Sequence, residues 1–181
     1  MEISAIEMDS IVTQLGRWIS LMQQVHEAQH FIERTEKIAH PENFQTLDGL
    51  LEILVYFRGA LNSYGKCFIS TGHGKKSLDA ERVFGDDRDL LERHIRIMEL
   101  RHKYVAHSDH NEIERTALAI TDTPAELRVR FQYNLSFSFD RMYELRGLIK
   151  HLTDHVVDAQ KKHILGIEQK VAKPVLVQQG N

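Results

Sequence analysis

The sequence predicts a mainly α-helical domain, in which four long helices form an up-and-down bundle and a β-hairpin is inserted between the third and the fourth. Apolar residues recur at alternating steps of three and four along four long segments, and this spacing places them on one face of a helix. Between about residues 114 and 135 the spacing changes to every second position, which is typical of a strand with one apolar face. Four apolar helix faces are buried most simply against one another, which favours a bundle.

The first helix is predicted from about residue 5 to residue 39. It ends at His40-Pro41, because proline disfavours helical geometry in the residue before it. Its apolar stripe consists of Ile11, Leu15, Trp18, Met22, Val25 and Ile32, with Gln29 in the one polar slot.

The second helix is predicted over residues 46–70, with Thr46 as its N-cap and Asp48 near the positive end of the helix dipole. Residues 70–77 break the pattern and are predicted as a loop, which a short helical turn over residues 78–84 follows. The stripe of the second helix keeps its spacing throughout and consists of Leu47, Leu50, Leu54, Phe57, Leu61, Tyr64 and Phe68.

The third helix is predicted to begin after Asp86 or Asp87 and to end near Ala106. Its predicted buried stripe consists of Leu91, Ile95, Met98 and Val105.

The hairpin is predicted over about residues 114–135, with turn residues at 122–125. An isolated hairpin is marginal in water, so we expect its apolar face to pack on the helices. That face consists of Thr116, Leu118 and Ile120 before the turn, and Leu127, Val129, Phe131, Tyr133 and Leu135 after it.

The last helix is predicted from Ser138, its N-cap, to about residue 170. Lys173-Pro174 ends it, so residues 1–172 are expected to form a single domain and residues 173–181 a loose tail. Its stripe consists of Met142, Leu145, Ile149, Leu152, Val156 and Ala159.

The composition indicates a soluble protein of the cytoplasm. Of the 181 residues 42% are hydrophobic and 27% charged, which suits one domain with a core. With Cys67 as the only cysteine, neither an intramolecular disulfide nor a cysteine-based zinc site can form. We see no secretory signal at the N-terminus and no apolar run near the ~20 residues that cross a bilayer. The net charge of −3 means that any RNA contact needs a local basic patch.

One arginine lies where an apolar residue is expected. Arg101 follows Met98 by three positions and precedes Val105 by four, so it points along the buried stripe of the third helix. His107 is six positions after Arg101, so in an unbroken helix the two side chains would point in directions ~120° apart. They converge only if the helix ends or distorts near Ala106, or if a second subunit supplies the partner. The alternative is structural: Arg101 extends to solvent at the rim of the core and His107 caps the helix.

The motif Arg101-His102, five intervening positions and His107, at the end of the third long helix, resembles the signature of the HEPN superfamily. The run from Leu100 to Asp109 is similar to the abortive-infection AbiU-like branch, and the helical layout agrees over residues 5–170. The resemblance implies a metal-independent endoribonuclease that needs no cofactor. It also implies a homodimer with both motifs facing each other across the interface. Phage defence or a toxin–antitoxin system, with an antitoxin protein as partner, would be its setting.

This resemblance also implies roles for the motif residues. His107 would be the acid–base catalyst and Arg101 the phosphate clamp, since imidazole titrates in the right range and guanidinium binds phosphoryl oxygens in pairs. His102 would orient the site, with Ser108 and Asp109 in support. Many active relatives carry tyrosine at the position of Asp109, and some members only bind RNA or protein, so a non-catalytic module on the same fold is the alternative.

Basic residues elsewhere could contact RNA: Arg58, Lys66, Lys75, Lys76 and Lys103. Their alternative is a solvated surface. The pairs His26/His30 and His151/His155 are spaced to chelate a metal from one helix face, but surface histidines explain them better, and we predict no metal site.

Overall fold

The computed structural model describes residues 5–69, 77–106 and 113–177 of the chain. They form five α-helices and one two-stranded antiparallel sheet, joined by two short helical turns. The helices are α1 (Ala5–Ile38), α2 (Leu47–Lys66), α3 (Ala80–Phe84), α4 (Arg88–Arg101) and α5 (Phe139–Val171). The other elements are a 3₁₀ turn (Asn43–Gln45), a π-helical turn (His102–Ala106), β1 (Glu114–Asp122) and β2 (Leu127–Leu135). The predicted mainly helical class with an inserted hairpin is therefore confirmed.

Three helices begin where side-chain caps are predicted. The oxygens of Thr46 and Asp87 accept hydrogen bonds from the backbone of Gly49 and Leu90, both at 3.1 Å. Ser138 accepts the corresponding bond at the start of α5, at 3.4 Å. A cap satisfies one of the amide groups that the first turn leaves without a partner, so it sets the first residue of each helix.

The four long helices pack against one another. α1 packs against α2 and α5, and α4 packs against the same two helices. Ser63 of α2 donates a hydrogen bond to Glu27 of α1, while Gly59 lies against Phe31, so α1 and α2 run antiparallel. Burial of a large apolar side chain stabilises by about 1.5–3 kcal/mol, and the core contains many. Its fully buried members include Val25, Phe57, Leu61, Tyr64, Ile97, Leu145, Leu148, Leu152 and Val156.

The buried face of α4 differs from the predicted stripe. Ile95 is 51% exposed, whereas His94 and Ile97 are buried. The buried positions of α4 each lie one residue before the predicted ones, because α4 packs between α2 and α5. After Arg101 the α-helix gives way to the π-helical turn, and Tyr104 becomes a core residue at 1% exposure.

The hairpin does not pack on the helices, so that prediction is wrong. Its turn and strand pairing agree with the sequence, with Leu118 opposite Phe131 and Ile120 opposite Val129. Both strands nevertheless remain exposed along nearly their whole length. Nine residues of strand span about 30 Å, and of the described hairpin residues those at its base, Ile113 and Leu135, pack on the core. The apolar face therefore projects away from the bundle.

The end of α5 lies near the predicted boundary. α5 ends at Val171, and Ala172 adopts a left-handed conformation with φ of 51°. Val175 then donates its backbone N–H to Glu168 at 3.0 Å, so the first residues after the helix fold back on it. Across the described ranges, no helix combines the length and the apolar character needed to cross a membrane.

Candidate functional site

The described residues include only part of the predicted site. Arg101, His102, Lys103, Arg58 and Lys66 are described. The remaining predicted residues lie outside the described ranges, and the structure therefore does not position them: His107, Ser108, Asp109, Lys75 and Lys76.

Arg101 is the last residue of α4 and packs on the backbone of α2 at Gly65. A β-carbon built on Gly65 would lie 3.1 Å from Nε of Arg101 and 3.2 Å from its Cδ. Gly65 is itself buried, so the absence of a side chain there makes room for the arginine. Arg101 is half-buried where it contacts α2, although the buried face of α4 lies one position earlier than the stripe from which its direction was predicted.

The Nε atom of Arg101 is buried and has no hydrogen-bond partner. An unsatisfied buried donor costs about 1–3 kcal/mol, and more when it carries charge. Within the described ranges, each arginine–carboxylate ion pair involves some other arginine. Arg101 thus brings a cation into the seam that no described carboxylate neutralises, which is an arrangement suited to an anionic ligand.

The π-helical turn from His102 to Ala106 lies directly after this arginine. The backbone N–H of His102 is shared between the carbonyls of Glu99 and Met98 as the α-helix ends. Such wide turns are rare, and they occur often at functional sites. His102 and Lys103 are exposed on it, so both remain accessible to a large ligand.

Arg58 on α2 is a second cation of the predicted site, and its guanidinium already contacts two other side chains. Its Nη2 donates to Oε1 of Glu114 at 2.8 Å, and its guanidinium lies 4.4 Å from the ring centroid of Tyr104. Burial raises the pKa of Tyr104 to about 12, although Arg58 acts in the opposite direction. The phenol therefore stays neutral, and Glu114 offsets much of the charge that we expected Arg58 to offer to RNA.

Arg58 and Arg101 lie along the same seam between α2 and the end of α4. Arg58 is seven residues, or two helical turns, before Gly65, which corresponds to about 10 Å along α2. Lys66 follows Gly65 and is exposed. Among these cations of the described site, Arg101 is half-buried, whereas Arg58, Lys66 and Lys103 are exposed.

Sequence analysis missed three residues that shape this seam: Gly65, Tyr104 and Glu114. A glycine inside a strongly predicted helix costs about 1 kcal/mol relative to alanine, so its presence is a signal of close approach. Tyr104 and Glu114 carried no such signal, because their partner Arg58 is more than forty positions away in sequence.

Two turns before Arg101, His94 is held in a buried aromatic cluster. Its Nδ1 lies 2.7 Å from the hydroxyl of Tyr64, and its ring lies 4.4 Å from that of Phe68. Burial lowers the pKa of His94 to about 4. The imidazole is neutral near pH 7, and its hydrogen bond with the Tyr64 hydroxyl anchors α4 to α2.

The histidine pairs do not assemble a metal site. Nε2 of His151 lies 2.9 Å from the carbonyl oxygen of Val83, which occupies one of its ring nitrogens. His26 and His30 are exposed on α1. In the described part of the chain, no three potential metal ligands come together.

Comparisons of the chain with protein-family models, with curated proteins and with solved structures found no match in any of the three.

Proposed function

We propose that this chain is a HEPN-like, metal-independent endoribonuclease of a phage-defence or toxin–antitoxin type system. The observation that carries the proposal is the buried, unpaired Nε of Arg101 at the end of α4. A buried charged group without a partner destabilises the fold. Its presence at this position is explained if the arginine binds an anion when the protein functions. The resemblance of the motif from Arg101 to His107 identifies that anion as an RNA phosphate.

The proposed reaction is attack of a ribose 2′-hydroxyl on the adjacent phosphorus. The 2′-oxygen forms a new bond to phosphorus as the bond to the 5′-oxygen breaks, leaving a 2′,3′-cyclic phosphate and a 5′-hydroxyl. His107 of one protomer accepts the proton of the 2′-hydroxyl, and His107 of a second copy, in its protonated form, donates one to the leaving oxygen. Arg101 stabilises the charge of the phosphorane, and His102, Ser108 and Asp109 support the site.

The flanking cations would hold the strand on either side of the cleaved bond. Arg58 lies about two helical turns, or about 10 Å, from Gly65 along α2. Lys66 and Lys103 are exposed beside it, and Lys75 and Lys76 follow in sequence. These contacts confer affinity without sequence preference.

A non-catalytic module that binds RNA or protein, such as an antitoxin, is the second candidate. The exposed apolar face of the hairpin favours it, because an apolar surface of this size usually marks an interaction site. Under this proposal Arg101 contributes to binding and His107 has no chemical role.

The experiment is cleavage of single-stranded RNA by the full-length protein in EDTA, with analysis of the product ends. We expect 2′,3′-cyclic phosphate and 5′-hydroxyl ends, and loss of cleavage in His107→Ala and Arg101→Ala. His30→Ala is the matched control, since His30 is an exposed histidine on α1 remote from the motif in sequence. Cleavage that stops on addition of chelator, or that survives His107→Ala, would refute the ribonuclease. RNA binding without cleavage would support the second candidate.

A further inference from the structure

The hairpin presents two aromatic rings on its exposed apolar side, here called the ring side. Phe131 and Tyr133 lie two positions apart on β2, so both project from the same side of the sheet, about 7 Å apart along the strand. They are 66% and 48% exposed. The same side also carries four exposed aliphatic residues: Leu118, Ile120, Leu127 and Val129. The two rings are therefore open to contact with planar groups of a ligand.

Tyr133 connects the ring side to the seam that contains Arg101. Its hydroxyl donates a hydrogen bond to Glu114, the first residue of β1. The carboxylate of Glu114 also accepts a hydrogen bond from Arg58 at 2.8 Å, and the guanidinium of Arg58 lies over the ring of Tyr104. Tyr104 belongs to the π-helical turn that follows Arg101. These contacts hold the ring of Tyr133 at the base of the hairpin, beside the proposed site.

The opposite side of the hairpin is cationic. It carries Arg115 on β1, and Arg128 and Arg130 on β2. Of the three, only Arg128 forms an ion pair within the described ranges, with Glu126. Neighbouring strands are only about 5 Å apart, so a long arginine side chain extends past the edge of a two-stranded sheet. A polyanion that lies on the ring side is therefore attracted by these charges.

We propose that the ring side binds single-stranded RNA by stacking unpaired bases on Phe131 and Tyr133, and that the strand continues from there to Arg101. Aromatic side chains on a sheet surface stack successive bases in this way, with little sequence preference because every base has a π-face. The choice of RNA as the ligand rests on the proposed function, whereas the position of the binding surface follows from the rings. In a duplex the bases are stacked on one another, so double-stranded RNA offers the rings no free base.

A protein partner would cover the same apolar surface, but it would explain less of the hairpin. Contact between apolar surfaces requires neither rings nor cations, whereas a single-stranded nucleic acid uses both. The two rings also lead towards the base of the hairpin, where the proposed site begins.

The first test is binding of the full-length chain to a short, labelled 2′-O-methyl oligouridine, measured by fluorescence anisotropy. This probe has unpaired bases but no free 2′-hydroxyl, so binding is measured without cleavage. Phe131→Leu and Tyr133→Leu should each raise the dissociation constant by about tenfold, because leucine is apolar but has no π-face. Phe131→Tyr keeps the ring and should bind the probe as the wild type does.

Leu118→Ala is the matched control, since Leu118 lies opposite Phe131 on the ring side and has no ring. It should change the dissociation constant by less than about twofold. A duplex of the probe with its complement should bind equally to the wild type and to Phe131→Leu, because its bases are not free to stack. Far-UV circular dichroism and thermal melting verify that each variant keeps the fold.

A Phe131→Leu variant that binds the probe as tightly as the wild type would overturn the proposal and leave the ring side to a protein partner. So would an equal loss in Leu118→Ala, or a wild-type chain that does not bind the probe. Binding through the rings without any cleavage of RNA would refute the ribonuclease and retain this surface. Cleavage of RNA by a chain whose ring variants bind unchanged would retain the ribonuclease and refute the surface.

Discussion

Nε of Arg101 lies 3.1 Å from the position that a β-carbon on Gly65 would occupy. A side chain at residue 65 would require Arg101 to shift by a few tenths of an ångström, so the glycine allows this close contact between α4 and α2. The same Nε has no hydrogen-bond partner, so the contact between these residues orders the arginine without neutralising it. Under the proposed function, this arginine would bind a phosphate with little further reorganisation.

Gly65→Ala should reduce RNA cleavage by at least about tenfold, because Arg101 must move by a few tenths of an ångström to avoid the new methyl group. The free energy of unfolding should change by less than about 1 kcal/mol, since the helical preference for alanine offsets the tight contact. Cleavage assays and chemical denaturation measure the two effects.

The control for this variant is Gly147→Ala in α5, where a β-carbon meets no atom within 4 Å. It should leave cleavage unchanged. Full activity in Gly65→Ala would mean that the position of Arg101 is not critical.

Arg101→Met should abolish cleavage while keeping or raising the thermal midpoint. Methionine fills a similar volume and removes a buried donor that lacks a partner, which favours the folded state by about 1 kcal/mol. Arg93→Met, which breaks an exposed ion pair with Asp89, is the control and should affect neither quantity strongly. A loss of several kcal/mol in Arg101→Met would instead indicate a structural arginine.

Stability should fall as the pH is lowered from about 6.5 to about 4, because burial depresses the pKa of His94 in the folded state to about 4. The unfolded chain binds a proton first in this range, so stability is fully present above about pH 6.5 and declines below it. The shift corresponds to about 3 kcal/mol, measurable by urea denaturation at a series of pH values.

His94→Gln tests the assignment of this pH dependence. Glutamine can still form a hydrogen bond with the Tyr64 hydroxyl but does not titrate, so the decline between about pH 6.5 and 4 should become much shallower. An unchanged slope would assign the titration to another group.

Glu114→Gln should strengthen RNA binding several-fold. The substitution removes the carboxylate that Arg58 contacts at 2.8 Å and leaves that guanidinium free to bind phosphate. The slope of binding affinity against salt concentration, on logarithmic axes, should steepen by about one unit.

Glu126→Gln, which affects the Arg128 ion pair near the hairpin turn, is the matched control and should leave affinity unchanged. Equal affinities of Glu114→Gln and the wild type would exclude Arg58 from the RNA-binding surface.

Features that depend on local sequence were predictable. α2 was expected from its apolar spacing and its cap at Thr46, and the structure begins it at Leu47. The hairpin was expected from its alternation, and the strands pair around the predicted turn.

Features that depend on distant contacts were not predictable in this way. Ile95 and His94 are adjacent, and only the placement of α4 between α2 and α5 buries the histidine and exposes the isoleucine. The apolar side of the hairpin does not pack on the helices as we expected. Apolar alternation identifies which side of a strand is apolar, but not which surface that side packs against.

Secondary structure and the order of the helices are determined by the sequence alone, because propensity, caps and apolar spacing act within a few turns of the chain. The tertiary structure decided that Gly65 accommodates Arg101, that Glu114 forms an ion pair with Arg58, and that the apolar side of the hairpin is left exposed. These outcomes depend on which helices become neighbours. The packing of the helices is determined by many weak contacts between residues that are far apart in the chain.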